Sequence, residues 1–162
     1  MINEKMEKAL NEQINEELYS AYLYLAMSAW FESQNLPGFA SWMKVQMREE
    51  NAHAMKFFAF IHERRGRTVL KAIKEPGKEW KSPLAAFEAA LQHEQHITGC
   101  IDNLMNLAGA EKDHATAGLL QWFVKEQVEE EATADRIVQM LKLAANAPGA
   151  LLMLDHAMGE RK

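Results

Sequence analysis

Four glutamates interrupt stripes of residues that otherwise read as a buried core. Glu17 falls among Met6, Leu10, Gln13, Ser20, Tyr24, Met27 and Phe31, and Glu50 among Phe39, Met43, Gln46, His53, Phe57 and Ile61. Glu94 falls among Leu84, Phe87, Leu91, Thr98, Ile101, Met105 and Ala108, and Glu130 among Leu120, Phe123, Gln127, Ala134, Ile137 and Leu141. The three-to-four spacing of each stripe is that of a helix face turned toward a bundle interior. Glu50 and His53 are three apart, so both project from one face. Burying an ionised carboxylate without a partner costs several kcal/mol. Four of them would consume most of a typical stability of about 5–15 kcal/mol. No Lys or Arg stands in the stripes at that level, whereas a bound cation would relieve all four at once. Oxygen-rich ligation with one imidazole suits iron or manganese better than a thiolate-seeking metal, and four carboxylates suit two ions sharing a bridge.

The elements that must carry these side chains are helices. The stretches between Pro37, Pro76, Pro83 and Pro148 are rich in Ala, Leu, Met, Glu, Gln and Lys, which lose little entropy in a helix. No segment alternates with the period of a strand. The spacing predicts long helices over about 4–34, 39–65, 83–110 and 114–145, and a short fifth over about 148–158. Asn35-Leu36-Pro37-Gly38 and Gly109-Ala110-Glu111-Lys112-Asp113 are short connections that make antiparallel neighbours. The middle connection, Gly66 to Ser82, is long for a compact domain. It can span the roughly 40 Å of a 27-residue helix, which makes helices two and three parallel. The fold class is therefore all-α, a four-helix bundle with one long crossover, in a single domain over 1–162. In that arrangement the four carboxylates and His53 fall at one height.

Composition narrows the function classes. With 48% hydrophobic residues the chain can fill a core, which excludes intrinsic disorder. The 23 acidic residues outnumber 18 basic ones, against a nucleic-acid partner. No apolar run approaches the roughly 20 residues of a membrane span, and Met1 to Lys8 is too polar for a signal peptide. A lone cysteine, Cys100, forms no internal disulfide and suits the cytoplasm; it reads as a small packing residue. His93 and His96 flank Glu94 off its stripe and read as surface or interface histidines. The segment from Gly149 to Met158 is apolar on most sides, so association with a partner surface is expected.

At these residues the chain resembles, over essentially its whole length, the bacterial non-haem ferritins of the ferritin-like di-iron carboxylate superfamily. That superfamily takes one Glu from each of two helices and Glu-x-x-His from each of the other two. Glu17 and Glu94 match the single glutamates and Glu50-Asn51-Ala52-His53 the first pair. The second pair reads Gln127-Val128-Glu129-Glu130, the departure that ferritins show and di-iron oxygenases do not. Asn51 stands where bacterioferritin carries its haem-ligating Met, so haem is not expected. The resemblance implies an iron-storing ferroxidase that oxidises Fe(II) with O2 or H2O2 and deposits ferric mineral in a homo-oligomeric shell of 24 subunits. It implies one iron on Glu17, Glu50 and His53 and a second on Glu50, Glu94 and Glu130, with Gln127 in or behind the site. It further implies Tyr24 beside the centre and a third iron site from Glu49, Glu126 and Glu129. The competing readings are a rubrerythrin-type peroxidase or oxidase, which lacks support here because no Cys-x-x-Cys pair exists, and a non-catalytic helical oligomer.

Overall fold

The computed structural model describes all 162 residues. Its elements, in order, are α1 (Glu4–Ser33), α2 (Pro37–Glu63), α3 (Pro83–Ala110), α4 (His114–Ala144) and α5 (Pro148–Met158). Side chains cap the starts of α1, α3 and α4, and left-handed residues end α1, α2 and α3. Asn3 Oδ1 accepts from the Met6 N–H at 2.8 Å, Ser82 Oγ from Ala85 at 3.1 Å, and Asp113 Oδ1 from Thr116 at 3.1 Å, satisfying amides that the first turn leaves open. At the other ends Asn35, Arg65 and Lys112 have φ of 57°, 59° and 53°. The next N–H in each case closes back on the terminal turn, Leu36 to Phe31 O, Gly66 to Ile61 O and Asp113 to Ala108 O. None of these left-handed stops uses glycine.

Helices α1 and α2 are antiparallel, as are α3 and α4. The Phe39 and Phe87 rings, at the starts of α2 and α3, lie 5.6 Å apart, while Phe57 near the end of α2 stacks at 4.1 Å on Phe123 near the start of α4. Helices α2 and α3 are therefore parallel, as the long connection requires. Residues 64–82 run up the outer face of α1 on a polar ladder one turn apart. Glu7 accepts from the Arg67 N–H at 3.0 Å, and Asn11 pairs with Arg67 O at 3.0 Å and the Val69 N–H at 2.7 Å. Asn15 reaches Ala72 O at 3.2 Å, Lys74 lies 4.4 Å over the Tyr19 ring, and Trp80 ends the run against Trp30.

The apolar residues form two clusters, one at each end of the bundle. One gathers Met6, Leu10, Phe57, Ile61, Ile101, Leu120 and Phe123; the other gathers Met27, Phe31, Phe39, Met43, Phe87, Leu141 and Leu154. Every stripe residue expected on α1, α2 and α4 is buried. On α3 the buried face is turned by part of a residue spacing. Ala86, Ala90, Ile97 and Leu104 are buried, while Leu84, Leu91, Thr98 and Met105 are only half-buried. The buried line on α3 thus runs through small alanines as well as large aliphatic side chains.

α5 docks only in part. Leu154 and Met158 are buried, and the Asp155 carboxylate accepts the Phe39 N–H at 2.9 Å, capping α2 from a distant part of the chain. Leu152 and Met153 face outward. The contact requires glycine at position 38, where a Cβ would lie 1.6 Å from the Asp155 carbonyl oxygen. Gly38→Ala is expected to push α5 off the start of α2 and to cost about 1–3 kcal/mol, read as a lower urea midpoint for the metal-free protein; an unchanged midpoint would show that α5 does not pack as described.

Candidate metal centre

Between the two apolar clusters lies a polar layer. Glu17, Glu50, His53, Glu94, Gln127 and Glu130 all point into it, and all are at most 8% exposed. The helices bring their carboxyl oxygens and the His53 ring into overlapping sets. Glu17, Glu50 and His53 have ligand atoms within 4.8 Å of one another, and so do Glu50, Glu94 and Glu130. Glu50 belongs to both. A third set joins His53 and Glu130 to Glu126. Glu49 and Glu129 join none: Glu49 is held by Arg161, and Glu129 is exposed.

The carboxylates are held by neutral donors. Gln13 donates to Glu17 Oε1 at 2.8 Å, and Gln46 donates to both Glu50 Oε1 and Glu130 Oε2 at 2.8 Å. Each glutamine lies one turn before a glutamate on its own helix, so the same i, i+4 device steadies Glu17 and Glu50. Tyr24 donates its hydroxyl to Glu94 Oε1, and Gln127 donates to Glu94 Oε2 at 3.2 Å. His53 Nδ1 lies 3.2 Å from Glu50 Oε2 and 4.0 Å from Glu17 Oε2. Glu17 Oε2 is buried with no hydrogen-bond partner. Glu17 Oε2 and His53 Nδ1, 4.0 Å apart, are placed so that both could ligate one cation.

Several supporting residues were not assigned a role from sequence. Gln13 and Gln46 lie on the expected stripes, and their i−4 relation to the glutamates was the available signal. Arg161 gave no such signal. Its guanidinium stacks 4.4 Å over Trp42, donates to Gln46 Oε1 at 2.9 Å and pairs with Glu49. By occupying the amide oxygen it turns the Gln46 amide nitrogen toward Glu50 and Glu130. His93, expected at the surface or an interface, instead lies half-buried between α3 and α1, with its Nε2 2.7 Å from Ser20 Oγ and its ring edge-on to Tyr19 and Tyr24. Trp122 sits edge-on to His53 at 5.5 Å.

Neutral donors leave the negative charge in place, and the ionisation of the layer shows it. Burial, and then the charge of Glu50, raises Glu17 well above the usual carboxyl range. Burial and Glu50 push Glu94 up to about 8, and burial with Glu94 and Glu50 pushes Glu130 up to about 8. For His53 burial acts downward, but the hydrogen bond and charge of Glu50 outweigh it and raise the imidazole. Burial and Glu94 likewise raise Tyr24, which stays a proton donor.

This fixes a sign. Between the ordinary value of 4.5 and about 8, the folded protein holds protons on Glu94 and Glu130 that the unfolded chain has released. Stability therefore falls as pH rises through that window and levels off above it. Urea unfolding of the metal-free protein from pH 5 to 8 should show this decline, and a saturating divalent cation should abolish it; stability that is flat or rising without metal would contradict the description.

The ferritin family profile, described as a ferritin-like domain, matches residues 7–144. A bacterial non-heme ferritin from Bacteroides fragilis (strain 638R) is 44% identical over 161 residues, which is 99% of this chain and 100% of its own length. One from Campylobacter jejuni is 38% identical over 155 residues, covering 96% and 93%. Among solved structures, an open-pore ferritin from the hyperthermophilic archaeon Archaeoglobus fulgidus is 53% identical and superposes with a TM-score of 0.99, both chains being covered in full at 100%. Five helices in this order, a carboxylate layer across the bundle and similarity along the whole length lead to one conclusion: the chain belongs to the ferritin family.

Proposed function

We propose that this protein stores iron, oxidising Fe(II) to Fe(III) at the carboxylate layer and depositing ferric oxyhydroxide inside a hollow homo-oligomer. The observation that carries the reading is the pair of ligand sets sharing Glu50, buried without a Lys or Arg partner. Two divalent ions bring the positive charge that the layer lacks, and Glu50 bridges them. One Fe(II) takes Glu17, Glu50 and His53; the other takes Glu50, Glu94 and Glu130. Glu130 stands where a histidine would give a second nitrogen, and Gln127, in place of a glutamate, serves as a donor to Glu94 rather than a metal ligand.

Each Fe(II) gives up one electron, and O2 takes both electrons with two protons to become H2O2, itself an oxidant for further Fe(II). The protons displaced from Glu94 and Glu130 when the cations bind are available at the place where they are consumed. Tyr24 keeps Glu94 oriented by donating to one oxygen and leaving the other to Gln127. Fe(III) hydrolyses more strongly than Fe(II), so its product fits the carboxylate pair less well and leaves. Glu126, within reach of His53 and Glu130, is the nearest onward ligand. A third iron on Glu49 and Glu129 would require Arg161 to release Glu49.

A storage role needs an assembly, and the chain has surface for one. Tyr22 and Leu25 on α1 lie open beside Ile73 of the crossover, and Leu143, Leu152 and Met153 form a second open apolar face at the α4–α5 end. Apolar patches in two separate places on one chain suit contacts to more than one neighbour. The similarity to ferritins supports a closed shell of 24 subunits. No helix is long and apolar enough to cross a membrane.

Aerobic Fe(II) addition tests the reading. The native protein should form a large particle retaining far more iron than two per chain. Glu50→Ala and His53→Ala should stay folded and assembled but lose the rapid phase of O2 uptake. Retention of only about two irons per chain would make the protein a di-iron catalyst without storage, and unchanged oxidation in both variants would remove the centre from the mechanism.

A further inference from the structure

One residue before Glu17, on the side of α1 turned away from the bundle interior, a second group of ligands converges. Glu16 on α1 meets His96 and Cys100 of α3, the latter two being i, i+4 neighbours on one helix face. His96 Nε2 lies 2.9 Å from Glu16 Oε2 and 3.6 Å from Cys100 Sγ. All three donor atoms fall within 4.8 Å of one another. A carboxylate–imidazole hydrogen bond accounts for the first contact but not for the group. Oxygen and sulfur approach the same ring nitrogen, which has one proton or one lone pair and satisfies only one of them. A cation in front of Nε2 satisfies all three.

The chemistry of the donors selects the cation. One thiolate, one imidazole and one carboxylate form a mixed set of borderline softness, unlike the oxygen-dominated layer inside the bundle. Tetrahedral Zn2+ has Zn–N of about 2.0–2.1 Å and Zn–S of about 2.3 Å, which places N and S about 3.6 Å apart. That is the separation found, while the Glu16–His96 pair, hydrogen-bonded at 2.9 Å, would open by about 0.4 Å to share a tetrahedral ion. The Glu16 and His96 side chains are 37% and 57% exposed, so an ion reaches them from solvent. We propose that Glu16, His96 and Cys100 form an outward-facing site for a tetrahedral, borderline divalent cation of the zinc class, with three protein ligands and an open fourth position.

The site is separate from the carboxylate layer. His93, packed against Ser20 and Tyr24, fills the space between them. Without metal the Cys100 thiol is quiet, because burial and the charges of Glu16 and Glu17 push it up to about 11. A divalent ion offsets those charges and displaces the thiol proton.

Cobalt(II) titration of the metal-free, full-length protein reads this site alone, since the inner layer contains no sulfur. A saturable near-ultraviolet cobalt–thiolate band is expected at one ion per chain, displaced by Zn2+. It should persist in Glu50→Ala, which removes the shared ligand of the inner layer, and vanish in Cys100→Ser. His96→Ala and Glu16→Gln should each weaken cobalt binding by about tenfold or more. Absence of the band at saturating cobalt would overturn the proposal. So would a band whose midpoint is unmoved by both His96→Ala and Glu16→Gln, because Cys100 would then be acting alone.

Discussion

The constraint on which the molecule depends is four glutamates in one layer of a bundle interior, supported by amide and phenol donors and a single imidazole, with no Lys or Arg among them. Amides and a phenol satisfy lone pairs, but they bring no positive charge. Glu17 is left with an unpartnered oxygen, and Glu94 and Glu130 keep their protons up to about pH 8. The layer is therefore a poor contributor to stability by itself, and the two apolar clusters on either side must offset it. That division of labour explains the helix lengths. Each of α1 to α4 has 27 to 31 residues, long enough to pass through both clusters and carry one polar turn between them.

Chain topology follows from the same layer. With α2 and α3 parallel, Glu50 and Glu94 reach the same height from helices that begin at the same end of the bundle. That requires the connection to travel the length of the molecule, where its own amides must find partners. Glu7, Asn11 and Asn15 supply them along one stripe of α1, while the opposite stripe of that helix carries Glu17 and Tyr24 inward. One helix thus serves the crossover and the carboxylate layer with different faces. α5 then caps the start of α2 through Asp155, and the chain continues to Arg161, which fixes the Gln46 amide behind Glu50 and Glu130.

Much of this was legible in the sequence. Glu17, Glu50, His53, Glu94, Gln127 and Glu130 stood on stripes whose flanking residues were unambiguously apolar, and a helical period places such residues without knowledge of contacts. The line on α3 was less legible, because Ala86 and Ala90 look indifferent in a pattern of size but are buried. His93 was misplaced for the same reason, since its stripe is defined by contacts to Ser20 and Tyr24 rather than by its own helix. Arg161 could not be read at all: it acts 115 residues away from Gln46, and only folding brings them together. Glu129 shows the opposite difficulty. It stands in a run of three glutamates, Glu129 to Glu131, and was grouped with Glu49 and Glu126 by resemblance, yet a helix turns successive residues to different faces, and this one is exposed.

The central claim is that the layer is built around two cations sharing Glu50. Anomalous diffraction at the iron edge, from crystals soaked with Fe(II) without oxygen, tests it most directly. The account predicts two iron positions on opposite sides of the Glu50 carboxylate, one beside Glu17 and His53 and one beside Glu94 and Glu130. A layer that stays free of iron under saturating Fe(II), or one that takes a single ion without Glu50, would contradict it.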